Sequence, residues 1–129
     1  EYGKKINIEA QTMIEMARRE IIPSVFGYMK DVADLVLSKR RLFMPNGPEQ
    51  TELTRLSELV EKVEAEVTAL EALVPGMTER TDPRERAVFC KEQVLPCMDK
   101  LRAAADELET VTGKSYWPYP TYGRLLFDV

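Results

Sequence analysis

One stripe of apolar residues in the middle of the chain constrains the fold more than any other feature. Its members alternate at spacings of three and four residues: Leu53, Leu56, Val60, Val63, Val67, Leu70 and Val74. This is an a/d pattern over three heptads, typical of a helix that buries one narrow face. Glutamates fill many of the positions between. We therefore predict a helix from about Pro48 to Val74 with an acidic outer face. We expect Pro75-Gly76 to stop it, with the glycine available for a left-handed cap.

A second apolar stripe precedes this seam and a third follows it. The first predicted helix runs over about 7–41, with Asn7 as a candidate N-cap, and ends before the proline-rich loop Met44–Gln50. The third, over about 82–112, opens on Asp82-Pro83-Arg84-Glu85, where an N-cap, a proline at N1 and an acid at N3 signal a start. Thr112-Gly113-Lys114 supplies its stop. The stripes are Ile14, Ala17, Ile21, Val25, Tyr28, Val32 and Leu35 in the first helix, and Val94, Met98, Leu101, Ala105 and Leu108 in the third.

Strand signals are poor throughout, so we predict an all-α fold. Three long helices with short connections favour an antiparallel up-down-up bundle in one domain, residues 1–129. Pro23 and Pro96 lie inside the first and third helices, in the similar phrases Ile21-Ile22-Pro23 and Val94-Leu95-Pro96. A proline lacks the N–H and crowds the carbonyl four residues earlier, so each should kink its helix. Two interpretations stay open: the kinks nest side by side, because these two helices would run parallel, or each proline is tolerated separately at a break in its own helix.

Composition excludes several classes of function. The chain has no histidine and a net charge of −4, which removes His-based nucleophile pairs and most zinc sites, and argues against a nucleic-acid surface. No apolar run approaches a membrane span, and no signal peptide is visible. Cys90 and Cys97 lie too far apart on one helix for a disulfide, which fits a cytoplasmic protein. We predict no catalytic, cofactor-binding or metal-binding residue.

Charged clusters offer little chemistry of their own. Glu58, Glu61 and Glu64 share one helix face and are better explained as a solvated acidic surface than as a cation site. The basic pair Arg18-Arg19 and the run Lys39–Arg41 are better explained by solubility and salt bridging than by phosphate binding.

The tail that follows the third helix is different. Residues 114–129 include Trp117, the only tryptophan, and two prolines that rule out a regular helix. Exposing so many rings to water is unfavourable, so we predict an extended aromatic tail that docks through Tyr116, Trp117, Tyr119, Tyr122, Leu126 and Phe127. Two targets remain open: the tail's own bundle, or the surface of a partner.

Three stretches carry a family resemblance. They are Asn7–Ala17 with Ile21–Val25, then Val94–Met98 with Leu101-Arg102 and Asp106–Glu109, and finally Trp117-Pro118-Tyr119-Pro120-Thr121-Tyr122 with Leu125-Leu126-Phe127. In this order they resemble the C-terminal region of type III glutamine synthetases. The similarity covers nearly the whole chain and is weakest in the acidic middle helix.

The resemblance implies a parent enzyme that makes glutamine from glutamate, ammonia and ATP with Mg²⁺ or Mn²⁺, in the cytoplasm of a bacterium, as a large oligomer of stacked rings. The ligands of that reaction belong to an upstream catalytic domain whose motifs do not occur here. The implied partners are that domain and neighbouring subunits, with no nucleic acid and no membrane. The chain starts without Met, which fits a fragment, and because those motifs are absent we expect an accessory, non-catalytic domain.

Two other classes of function stay open at this point. A free-standing helical adaptor would use the Leu53–Val74 seam to bind a partner helix, and dimerisation of the isolated chain would support it. An allosteric site for glutamine or a nucleotide on the bundle has no supporting motif.

Overall fold

The computed structural model describes residues 2–120, and all regular structure in that range is helical. Three continuous helical segments follow one another. The first comprises α1 (Tyr2–Met16), a π-helical turn (Ala17–Ile21) and α2 (Ile22–Arg41). The second is α3 (Gly47–Glu79). The third comprises α4 (Pro83–Phe89), a second π-helical turn (Cys90–Val94) and α5 (Leu95–Val111). The all-helical prediction is thereby confirmed.

The first segment begins earlier than predicted. It starts at Tyr2 rather than near Asn7, because Ile6 and Ala10 already belong to the buried core. The Asn7 side chain accepts a hydrogen bond from Gln11 Nε2 at 3.0 Å, one turn later, instead of capping a helix. At the far end Leu35 is 45% exposed and Val36 is buried in its place, so the predicted stripe is displaced by one residue there.

The second segment does not stop at Pro75-Gly76, contrary to the prediction, but continues to Glu79. Met77 is buried beyond the proline and anchors the extra turn. No described glycine has a positive φ, so Gly76 does not form a left-handed cap. Gly76 instead leaves room for the Phe89 side chain, because a Cβ at this position would lie 2.5 Å from the Phe89 ring. The glycine lets α4 approach α3, and packing overrides the local stop signal.

The third segment starts where the N-cap signal Asp82-Pro83-Arg84-Glu85 predicts. The Asp82 side chain accepts a hydrogen bond from the Arg84 N–H at 3.2 Å, with Pro83 in the first turn. The segment ends at Val111, and Thr112 is extended, so the stop is also where the sequence places it.

The seam of the second segment forms the middle of the core. Leu56, Val60, Val63, Val67 and Leu70 are buried, while Leu53 and Val74 at its two ends are half-buried. Residues of the first and third segments, among them Val25, Val94 and Leu101, complete the same cluster.

Pro23 and Pro96 each follow a π-helical turn. Pro23 and Pro96 occupy the second position of α2 and α5, and the preceding N–H groups bond five residues back, Ile22 to Ala17 and Leu95 to Cys90. A π-helical turn loosens the α ladder where the proline removes a donor and crowds a carbonyl. The kinks and their nesting stay predictions.

Side-chain pairs join the second segment to both of the others. They are Lys39 with Glu49, Tyr28 with Glu52, Arg18 with Glu71, and Lys62 with Glu107. The second segment therefore contacts both of the others through its polar side chains as well as through its apolar seam.

Candidate functional site: the aromatic tail

The tail turns back at the end of α5. Thr112 is buried, and its hydroxyl donates to the Leu108 carbonyl at 2.8 Å. The Tyr116 N–H then donates to the Gly113 carbonyl at 2.9 Å and closes a turn. Residues 113–120 contain no helix, as the two prolines require. This turn directs the tail onto the first segment.

Trp117 is the anchor of the tail. It is 8% exposed and belongs to the main hydrophobic core. A groove of about 400 Å³ lies beside it, between the first and third segments, and its walls are mainly apolar. Its lining includes Met13, Met16, Ile21, Leu101, Ala105 and Trp117. Methionines suit such a groove because their flexible side chains fill irregular space.

Tyr116 is fixed by a ring contact and a hydrogen bond. Its ring centroid lies 4.8 Å from that of Tyr28, at a 47° tilt, and its hydroxyl donates to Asp31 Oδ2 at 2.5 Å. The Asp31 carboxylate raises the pKa of Tyr116, because it stabilises the neutral phenol. The Tyr28 hydroxyl donates to Glu52 Oε2 at 2.9 Å. Burial, followed by this hydrogen bond, raises the pKa of Tyr28 to about 12.

Tyr119 makes the second polar attachment. Its hydroxyl donates to Glu20 Oε2, in the first π-helical turn. Burial, and then this hydrogen bond, raises the pKa of Tyr119 above the ordinary phenol range. The described tail is thus held at three points by residues of the first and third segments, one apolar and two phenol–carboxylate.

Gly113 makes the turn possible. A Cβ at this position would lie 3.1 Å from a Tyr28 ring carbon and 3.2 Å from a Tyr116 ring carbon. Both distances are tighter than ordinary van der Waals contact. The glycine therefore allows the rings of Tyr28 and Tyr116 to approach the backbone of the turn.

Among the predicted tail residues, Tyr116, Trp117 and Tyr119 all contact the chain's own bundle, whereas Tyr122, Leu126 and Phe127 lie outside the described residues. Contact between the tail and a partner stays a prediction. Sequence reasoning missed the acceptors Glu20 and Asp31, because nothing local distinguishes them from other exposed acids.

Arg18 occupies the centre of a charged cluster on the other side of the first π-helical turn. It bonds Glu71 through Nε at 3.1 Å and Nη2 at 2.6 Å, Thr68 through Nη2 at 3.1 Å, and Glu64 through Nη1. Glu71, and after it Glu64, raise the pKa of Arg18, and the guanidinium lowers that of Glu71. Salt bridging therefore accounts for Arg18 and for Glu64.

The described residues contain neither a cluster of metal ligands nor a helix that could span a membrane. Within residues 2–120, no group of three or more Asp, Glu, Cys or His side chains is close enough to hold a metal ion. No described helix is both long and apolar enough to cross a membrane. What the described residues define is a helical domain fastened by its own aromatic tail.

Comparison with known proteins gives this domain its family. Residues 1–40 match the family model described as the glutamine synthetase C-terminal domain. A glutamine synthetase from Butyrivibrio fibrisolvens is 36% identical over 135 residues, covering 99% of this chain. A type-3 glutamine synthetase from Dictyostelium discoideum is 28% identical, and a glutamine synthetase from Bacteroides fragilis is 27% identical; each match covers 98% of the chain. The chain therefore carries the C-terminal domain of the glutamine synthetase family. It spans only 18–19% of the length of these relatives.

Proposed function

We propose that this chain is the accessory C-terminal domain of a glutamine synthetase, with a structural role in the assembly and no catalysis of its own. One observation carries the proposal. The relatives match over 98–99% of the chain, which is only 18–19% of their own length. A region of that proportion that folds into its own helical core is typical of an appended domain.

The chemistry of the parent enzyme belongs to other residues. The family resemblance implies that the parent joins glutamate and ammonia at the expense of ATP, with a divalent metal, in the cytoplasm. The described residues offer no group of metal ligands, and Glu64 and Glu71 are engaged by Arg18. We assign the ligands of that reaction to the upstream catalytic domain that the resemblance implies, and no step of it to residues 2–120.

We further propose that the three segments form an antiparallel up-down-up bundle. The pairs between the first two segments support it, because later residues of the first meet earlier residues of the second: Lys39 pairs with Glu49, whereas Arg18 pairs with Glu71. The third segment pairs in the same sense, since Glu107 contacts Lys62 and Phe89 lies beside Gly76. Such a bundle provides a rigid body for contacts with the catalytic domain and neighbouring subunits.

The tail would stabilise this body and extend its contacts. Tyr116, Trp117 and Tyr119 lie on the bundle, and we assign Tyr122, Leu126 and Phe127 to the same docking segment. Their apolar side chains would bury surface either on the bundle or on the catalytic domain.

Paired substitutions in the full-length synthetase test the proposal. Trp117→Ala with Tyr122→Ala should reduce the size of the assembly in sedimentation, and activity with it, because the tail loses its anchor. Phe26→Ala, which truncates an exposed ring on α2, is the control and should leave both unchanged. If the double variant keeps its assembly size and activity, the structural role is wrong.

The free-standing adaptor receives no support. That hypothesis needs an exposed Leu53–Val74 seam, but Leu56, Val63 and Val67 are buried in the chain's own core. No observation favours the allosteric site either.

A further inference from the structure

Exposed apolar side chains are concentrated at one end of the first segment. Among residues 2–120, nine large apolar side chains are exposed, and five of them fall within ten positions of the chain. These five, which we call the tip patch, are Leu35, Leu37, Leu42, Phe43 and Met44. Phe43 is 96% exposed. Leu42, Phe43 and Met44 are consecutive in the turn after α2, while Leu35 and Leu37 lie on opposite sides of the helix that leads into it. Such a concentration of exposed apolar residues at one end is typical of a contact surface.

The backbone at Phe43 strengthens the case. Phe43 has φ 56°, the only positive φ among the described non-glycine residues. The Met44 N–H donates to the Lys39 carbonyl at 2.8 Å and the Phe43 N–H to the Arg40 carbonyl at 3.1 Å. This is the Schellman arrangement, with Phe43 at the left-handed position that normally holds glycine. A bulky residue there is strained, and its nearly bare ring gives little packing within the domain in return.

The tip patch lies on an arm that projects beyond the main core. Val32 and Val36 are buried, yet they are not part of the main hydrophobic cluster. Lys39 pairs with Glu49 at the base of the turn. The arm is therefore built by the end of α2 against the start of α3, and the patch caps it.

The tip patch lies at the opposite end of the first segment from the point where the rest of a synthetase would join. The first segment runs without interruption from Tyr2 to Arg41, which corresponds to about 60 Å at 1.5 Å per residue. In a C-terminal domain, the upstream polypeptide enters at the Tyr2 end. The tip is thus the part of the segment farthest from that junction, where a neighbouring copy can meet it.

Charge favours the same occupant. Arg40 and Arg41 lie in the last turn of α2 and are exposed, so two basic side chains lie next to the patch in the chain. The chain as a whole carries a net charge of −4. A basic, apolar tip is complementary to the acidic outer face of the second segment in the same domain of a neighbouring copy.

We propose that the tip patch docks onto a neighbouring copy of the parent polypeptide, with Phe43 as its anchor. This inference rests on the proposed accessory role and names the surface that would perform it. Aromatic side chains at the centre of a contact commonly contribute most to affinity.

The variant Phe43→Gly tests the inference in the full-length synthetase, because it separates docking from folding. Glycine suits the left-handed position, so hydrogen exchange at the Lys39–Met44 amides should stay as slow or become slower. Loss of the ring should nevertheless raise the concentration at which the assembly dissociates by tenfold or more in sedimentation. Ile8→Ser is the matched control, because Ile8 is 67% exposed near the opposite end of the segment. It should leave dissociation unchanged.

Each other outcome overturns the inference. If Phe43→Gly alters activity per subunit while the assembly is unchanged, the tip contacts its own polypeptide. If neither changes while deletion of residues 1–129 disrupts the assembly, the accessory role stands and the tip has no part in it. If the deletion is also without effect, the accessory role fails as well.

Discussion

Arg18 and Glu71 are joined by two hydrogen bonds that link the first segment to the second. Nε donates to Oε2 at 3.1 Å and Nη2 to Oε1 at 2.6 Å, a bidentate arrangement. Such pairs are among the stronger polar contacts because the planar guanidinium matches the carboxylate. This pair lies on the π-helical turn that precedes Pro23, so it fixes the first segment where its backbone is least regular.

Loss of Arg18 should lower stability moderately. The two side chains are 31% and 40% exposed, so solvent screening limits the effect of Arg18→Ala to about 1 kcal/mol. Arg19→Ala is the matched control, because Arg19 is exposed on the same turn. Urea unfolding followed by helical circular dichroism measures both. Equal effects of the two variants would contradict a specific role for the Arg18 pair.

The same pair predicts an acid dependence. The Arg18 hydrogen bond lowers the pKa of Glu71 in the folded protein. Glu71 therefore contributes stability above its unfolded pKa of about 4.3, and the contribution is lost as pH falls through the lower folded pKa. Urea titrations between about pH 3 and pH 7 should show Arg18→Ala losing less stability on acidification than the parent chain. Parallel curves would mean that Glu71 titrates independently of Arg18.

The sequence was most informative where one local signal acted alone. The seam residues Leu56 to Leu70 were predicted because a strict three-four repeat leaves one buried face. The Asp82 cap was predicted because its partner is two residues away. The helix stop predicted at Pro75-Gly76 is wrong because tertiary packing of Met77 and Phe89 stabilises one further helical turn, against the local signal. The tail acceptors Glu20 and Asp31 were hidden because their partners are 99 and 85 residues away.

Two glycines in helices should respond oppositely to alanine. At Gly76 a Cβ would lie 2.5 Å and 2.9 Å from atoms of the Phe89 ring, and Arg80 covers that ring at 4.0 Å. Gly76→Ala should therefore destabilise the fold by about 1–2 kcal/mol, an overpacking cost only partly offset by helix propensity. Gly27, in α2, has nothing within 4 Å of a Cβ, so Gly27→Ala should stabilise by about 0.5–1 kcal/mol. Thermal unfolding measures both, and a stabilising Gly76→Ala would contradict the close packing of Phe89.

The tail should loosen in alkali. The pKa values of Tyr28 and Tyr119 are raised, that of Tyr28 to about 12. Their stabilising contribution is complete below the unfolded pKa of about 10 and is lost as pH rises through the raised values. Trp117 is the only tryptophan, so its emission should stay constant to about pH 10 and shift to longer wavelength above it.

The variant Tyr119→Phe assigns this transition. It removes the donor to Glu20 and should cost about 1 kcal/mol, with a smaller alkaline change in Trp117 emission. Tyr2→Phe, on an exposed ring, controls for general effects of alkali and should behave like the parent chain. An emission change of the same size in both variants would assign the transition to other groups.

The spacing of the core residues contains the signal for the π-helical turns. Around both prolines the buried residues step by four twice, as Ala17, Ile21 and Val25, and as Cys90, Val94 and Met98. Each such step overshoots one α-helical turn by about 40°, so in a regular α-helix the three residues would spread over about 80° of the surface, whereas a wider turn brings them closer to one line. In both segments the wider π-helical turn occurs within these steps.

Replacement of Pro96 should therefore leave the second π-helical turn in place. If the proline alone imposed that turn, Pro96→Ala would restore an α-helix and stabilise the fold by about 3 kcal/mol. If the core spacing imposes it, as Val94 and Met98 indicate, an α-helical turn would expose apolar surface, and stability should change by less than about 1 kcal/mol. Unfolding experiments measure the energy, and hydrogen-bond couplings in NMR show whether the Leu95 N–H still bonds the Cys90 carbonyl. A gain near 3 kcal/mol with that bond lost would show that the proline, rather than the core, sets the turn.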